Sequence, residues 1–375
     1  MISIDGFLDK IDAEIPDPRR TSHGNVLHKL SDIIVISLIS IICGCDSFRK
    51  IEVFSKEREK FFSTFLDLPN GIPDADTIRR CFERIDPQLF SKCLYDYLDE
   101  ITKAQSLDVR HIAIDGKTIK GSKSKERKPY HILTCFCTDY EVVFGEICLP
   151  EKTNEIAGFY DIIKIVDIKN SIITGDAMFC QREIVKTIIK EKSDFVFCVK
   201  DNQPTLNSDI KLYMENCDRP YDIEKTEKGH GRIETRRYRL VPDTTCITNK
   251  KDWKGVKSIG EVRKTTIIGD KTTEETRYYI TSLTDVEEFA KSNRGHWKIE
   301  NNLHWELDLT FREDSNRAKK DNSPKNLNIM RKLGLNLLKR AKENALDKRA
   351  TKPEIMIRCA ATTYNVKCLL LGKPF

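Results

Sequence analysis

Two short apolar runs, His111-Ile112-Ala113-Ile114-Asp115-Gly116 and Ser171-Ile172-Ile173-Thr174-Gly175-Asp176, each carry an aspartate beside a glycine, the two acids 61 positions apart. Runs of this length, rich in β-branched residues and bounded by turn formers, predict buried strands. Each acid is then delivered where the chain leaves the sheet, a common position for chemistry. Between the two, His131 to Cys137 and Val142 to Leu149 predict further strands joined at Thr138-Asp139-Tyr140-Glu141, and Glu155 to Ile165 predicts a helix. Beyond them, Arg182 to Lys192 reads as a helix and Asp194 to Val199 as a strand. The order β-β-β-α-β-α-β predicts an α/β fold of mixed α+β type, one sheet with helices packed on it.

On the N-terminal side, residues 1–105 read as helical: Leu27 to Cys45, Phe48 to Leu66 and Thr77 to Ile101, with Asp74 or Asp76 placed to cap the third stretch after Pro69-Asn70-Gly71. This predicts a small accessory helical domain. On the C-terminal side, residues about 220–283 alternate Thr, Arg, Val and Ile between Gly229, Gly231, Gly255, Gly260 and Gly269, the pattern of an inserted all-β subdomain. Helix returns from Asp285 through Leu309 and from Leu327 to Lys342, so the core is expected over 106–345, with 346–375 as a tail.

Composition excludes several classes. The chain of 375 residues is long enough for a sizeable core and shows neither a repeat nor a low-complexity tract. The longest apolar run, Ile33 to Cys45, is too short to cross a bilayer, so no membrane role is expected. Thirteen cysteines without CxxC spacing suit reduced core residues in the cytoplasm rather than disulfides or zinc. Net charge is only +6, yet residues 110–128 and 312–352 each carry an excess of basic side chains. Such clusters fit phosphate contacts, or else a solvated face.

Two aspartates on neighbouring strands repel unless a cation neutralises them. Hard carboxylates suit Mg2+, with Mn2+ as substitute, and two ions are the usual device for in-line phosphoryl transfer. Glu300, on the helix after the insert, offers a third ligand, although Glu306, Asp308 and Glu313 lie nearby. A rival on that helix is a zinc site from His296, Glu300, His304 and Asp308, but four residues at i+4 steps span about three turns, too far for one ion. Trp297 and Trp305 are expected to pack the helix against its neighbours.

The motifs Gly71-Ile72-Pro73-Asp74-Ala75-Asp76-Thr77, Ala113-Ile114-Asp115-Gly116-Lys117, Thr174-Gly175-Asp176-Ala177, Val199-Lys200-Asp201-Asn202-Gln203-Pro204, His230-Gly231-Arg232-Ile233-Glu234-Thr235-Arg236 and Arg294-Gly295-His296-Trp297-Lys298-Ile299-Glu300-Asn301 together resemble the DDE transposases of bacterial insertion sequences, specifically the ISAs-type, H-repeat-associated group. The resemblance spans nearly the whole chain. It implies a ribonuclease-H-like core broken by a β-rich insertion, with Asp115, Asp176 and Glu300 as catalytic, metal-binding acids. Its implied partner is double-stranded DNA, both element ends and target, bound by a homo-oligomer in the bacterial cytoplasm at the nucleoid. Expected DNA contacts are Lys117, Lys120, Lys200, Asn202, Gln203, Arg232, Arg236, Arg237, Arg294, His296 and Lys298. Related transposases carry Tyr, Arg and Lys around the glutamate where Asn293, His296 and Leu307 stand here. A DNA-binding protein that no longer cuts is therefore the alternative to an active transposase.

Overall fold

The computed structural model describes residues 4–19, 26–102, 110–150, 154–229, 231–347, 349–371 and 373–374. The expected boundary at 105/106 and His230 lie outside them. Helices α1 (Ile4–Glu14), α2 (Leu30–Ile42), α3 (Phe48–Glu57), α4 (Glu59–Phe62), α5 (Ala75–Arg84) and α6 (Pro87–Thr102) come first. Asp74 caps α5 by accepting from the Thr77 amide at 2.6 Å. The third helical stretch is split at Asp86-Pro87, where the Asp86 carboxylate accepts from the amides of Gln88 and Leu89 and starts α6 afresh.

Strands β1 (Arg110–Thr118), β2 (His131–Cys137) and β3 (Val142–Leu149) form an antiparallel meander. Helix α7 (Glu155–Ile162) leads to β4 (Ser171–Gly175), and α8 (Arg182–Lys190) leads to β5 (Asp194–Val199). β4 runs parallel to β1 on one side and to β5 on the other. All five residues of β4 are buried, because a strand covered on both faces reads as a continuous apolar run.

After α9 (Pro204–Glu215) come β6 (Ile223–Gly229), β7 (Arg232–Val241), β8 (Ser258–Ile268) and β9 (Lys271–Thr281). These strands extend the central sheet: β9 pairs antiparallel with β5, and the nine-stranded order is β3-β2-β1-β4-β5-β9-β8-β7-β6. The fold is mixed α+β, and its first five strands, three antiparallel followed by two parallel to β1, have the order β3-β2-β1-β4-β5 expected of a ribonuclease-H-like core. Helix α10 (Val286–Ile299) continues through a π-helical turn, Glu300–His304, into α11 (Trp305–Leu309).

The chain closes with α12 (Ser323–Asn344), α13 (Lys352–Ala361) and α14 (Thr363–Leu371), so residues 346–375 contribute two packed helices where a tail was expected. Every residue of α2 is buried, and α12 packs on α2, α5, α6, α13 and α14. A helix apolar all round must be covered on all sides, which joins the N- and C-terminal helices in one hydrophobic core that also holds Ala113, Phe136 and Val143 of the sheet. The basic excess over 312–352 is correspondingly no surface patch throughout. Arg331, Lys332 and Lys339 are buried. The described cysteines are free thiols, and no described helix is long and apolar enough to cross a membrane.

Candidate active site

The parallel pairing of β1 with β4 ends at Ile114 opposite Gly175. The next residue on each strand is an aspartate. Asp176 leaves the sheet as expected, whereas β1 runs on to Thr118, because β2 keeps pairing with it and sets Asp115 opposite Thr134. What ends at Asp115 is the contact with β4, and that fork sets the two carboxylates near each other, Asp176 on the cavity wall and Asp115 more deeply buried behind it. Burial pushes Asp115 up to about 7, and the Asp176 charge adds to the effect. Asp176 is held below the usual carboxylate range by His296, with help from Lys200 and Arg277 against partial desolvation.

Helix α10 crosses this end of the sheet. His296 Nε2 lies 3.7 Å from Asp176 Oδ1, and His304 Nδ1 lies 3.4 Å from Asp115 Oδ2. In a plain α-helix, residues at i+4 drift by about 40° each time. The wider π turn between them undoes that drift and brings both imidazoles to one face. Glu300 stands between the two histidines, exposed, and lines a cavity of about 250 Å³ with Asp176, Lys200, Arg277, Asn293 and His296. Asp308, last on the polar face considered for zinc, is instead bound by Lys117 at 2.8 Å. Among the described residues, no three His, Cys, Asp or Glu side chains stand close enough to hold a metal ion as placed. The donor chemistry nevertheless fits a cation: Asp115 and Asp176 oppose each other as like charges, and Nε2 of both His296 and His304 is buried without a hydrogen-bond partner.

The expected DNA contacts divide. Lys200 is exposed on the cavity wall, and Lys120 is exposed beside Asp314. Lys117 is not free for phosphate, since it is 10% exposed and surrounded by Asp308, Glu313 and Asp314. Lys298 is turned to the β2–β3 turn, where it donates to the Thr138 carbonyl at 2.9 Å. Asn202 and Gln203 donate to the carbonyls of Ala177 and Cys180, so they brace the loop after Asp176. In the β6–β9 half, Arg232 pairs with Glu234, Arg236 with Glu227 and Glu234, Arg237 with Glu224, and Arg294 with Glu227. Most of these pairs lie within β7 or across the β6–β7 hairpin; Arg294–Glu227 joins α10 to β6 over 67 positions.

Arg277, Tyr279 and the His131–Glu155 pair beside Gly116 were not singled out from sequence. Arg277 comes to the cavity because β9 pairs with β5, a contact without a local signal. The tryptophans depart from expectation as well: Trp297 is 37% and Trp305 57% exposed, and Arg277 lies over the Trp297 ring.

A ribonuclease-H-like sheet with aspartates at the adjoining ends of β1 and β4, and an acid-bearing helix returning from a β insertion, is the architecture of a DDE transposase. Comparison with known proteins agrees. The family described as "Transposase DDE domain" matches residues 107–337, and that described as "DDE_Tnp_1-associated" matches residues 13–98. The chain is 36% identical to "H repeat-associated putative transposase YhhI" of Escherichia coli (strain K12), over 86% of this chain and 88% of that protein. It is 34% identical to "Putative transposase YncI" of Escherichia coli O157:H7, over 99% and 97%. A solved piggyBac transposase synaptic complex with hairpin DNA aligns with a TM-score of 0.43 and 11% identity, over 99% of this chain and 81% of that one. The chain belongs to the transposase DDE domain family.

Proposed function

We propose that the protein cuts phosphodiester bonds at the ends of its insertion sequence and joins them to target DNA, with Asp115, Asp176 and Glu300 as the metal-binding acids. The observation that carries this is the fork between β1 and β4, where Asp115 is buried against Asp176 and pushed up to about 7. Like charges placed together, with one carboxyl strongly shifted by burial, are a signature of a functional site. A pair of divalent ions, Mg2+ or Mn2+, would neutralise them and supply an activated water at the scissile phosphate. Lys200 and Arg277 on the cavity wall bind phosphate oxygens, and Lys120 and Arg294 extend the track for double-stranded DNA. Water displaces the 3′ oxygen at the element end, and the freed 3′-hydroxyl then attacks a target phosphodiester in line. Transfer of both ends calls for more than one copy on DNA, in the bacterial cytoplasm. We further propose residues 1–105 as a DNA-binding part and 106–345 as the catalytic part, interrupted at about 220–283.

The test is cleavage of an element-end duplex by the purified chain with Mg2+ or Mn2+. Loss of cleavage in Asp115→Asn, Asp176→Asn and Glu300→Gln, with DNA binding retained, supports the assignment; full cleavage by one variant removes that acid. A second reading is a DNA-binding protein that no longer cuts: Leu307 is fully buried, at the position where the resemblance to insertion-sequence transposases implies Lys. Binding by the unaltered chain without cleavage in either metal would establish it.

A further inference from the structure

Resting on the metal-dependent reading above, we infer that His296 supplies a nitrogen ligand, through Nε2, to the cation at Asp176, and that the site prefers manganese to magnesium. The separation of 3.7 Å between Nε2 and Asp176 Oδ1 is too long for a hydrogen bond. It is near the spacing of two donors on one ion, since bonds of about 2.1 Å put neighbouring ligands about 3–3.4 Å apart.

The other ring nitrogen is already engaged. His296 Nδ1 lies 3.1 Å from Thr174 Oγ1, and that hydroxyl donates to the Ile112 carbonyl at 3.5 Å. In the tautomer whose Nδ1 donates to the Thr174 hydroxyl, Nε2 carries the bare lone pair. Orientation of a ligating imidazole through its second nitrogen is the usual arrangement around bound metals. Nε2 is moreover buried without a hydrogen-bond partner, on a side chain that lines the cavity together with Asp176 and Glu300. An imidazole beside carboxylates shifts a site from Mg2+, which demands oxygen and keeps its water, toward Mn2+ and later metals.

The experiment uses the full chain with Mn2+ alone, read by electron paramagnetic resonance. The expected result is stoichiometric Mn2+ with a nitrogen hyperfine coupling that changes when 15N-histidine is incorporated, which needs no variant to fold. The coupling is expected to vanish in His296→Gln and to persist in His304→Gln. Competition with Mg2+ should show a Mn2+ preference that falls about tenfold in His296→Gln. Bound Mn2+ without nitrogen coupling, or a coupling lost only in His304→Gln, overturns the assignment to His296 and leaves the acid site standing. Failure of Mn2+ to bind, or equal binding by Asp176→Asn, overturns both.

Discussion

Buried charge is handled in opposite ways on the two sides of β2. In the helical core, Lys332 Nζ lies 2.6 Å from Glu146 Oε2 and 2.9 Å from Thr134 Oγ1, and Tyr95 donates to the same carboxylate. Nearby, Glu313 is held by Arg331 and Asn328. Each ion there meets an opposite charge. Thr134 is also the β2 residue opposite Asp115, so the acid pocket lies one strand away. There two carboxylates face each other, and one is driven toward its neutral form. The paired network joins opposite charges; in the pocket His296, Lys200 and Arg277 favour the Asp176 charge, and Asp115 is left buried beside it, a repulsion that a bound cation would relieve.

Breaking this contrast from the pocket side should have the largest effect. Asp115→Asn or Asp176→Asn abolishes metal-dependent end cleavage, while a melting curve without metal shows Asp115→Asn at least as stable as the parent, because its buried charge and the repulsion from Asp176 are gone. Next comes the core: Lys332→Met strands Glu146 without its cation and is expected to cost about 3–5 kcal/mol in denaturant unfolding. If that variant is as stable as the parent, the network is not holding the helices to the sheet.

The pH dependence sharpens the comparison further. Asp115 has a folded pKa of about 7 against 3.8. Between those values the folded state binds more protons, so its contribution to stability is complete below about pH 4 and is lost as pH rises toward 7, by at most about 1.4 kcal/mol per pH unit. Metal-free unfolding at several pH values should show this slope, and Asp115→Asn should flatten it. The smallest effect is expected for the exposed lattice on β6–β9. Arg294→Ala should change stability by no more than about 0.5 kcal/mol, while DNA binding weakens and its salt slope falls by about one. An unchanged salt slope would take Arg294 off the DNA path.

Much of the fold was legible because its signals are local. The strands and helices from β1 to β5 follow apolar periodicity, and Asp74 and Asp86-Pro87 mark helix starts that need only neighbouring amides. The placement of Asp115 and Asp176 where the pairing of β1 with β4 ends was legible for the same reason. The misjudged cations share one cause. Lys117, Lys298, Arg331 and Lys332 look like free positive charge in the sequence, and their partners Asp308, Thr138, Glu313 and Glu146 lie far along the chain. Exposure of Trp297 and Trp305 likewise depends on what α10 and α11 leave uncovered.

The sequence by itself determined the element order, the family and the two aspartates, because strand periodicity, turn residues and contiguous motifs act over a few residues. Tertiary structure alone decided that the β6–β9 insert extends the sheet, that the first and last helices share a core around α12, and that a π turn sets His296 and His304 against the aspartates. Those outcomes depend on pairing and packing between distant segments, where a side chain's role follows from its partner.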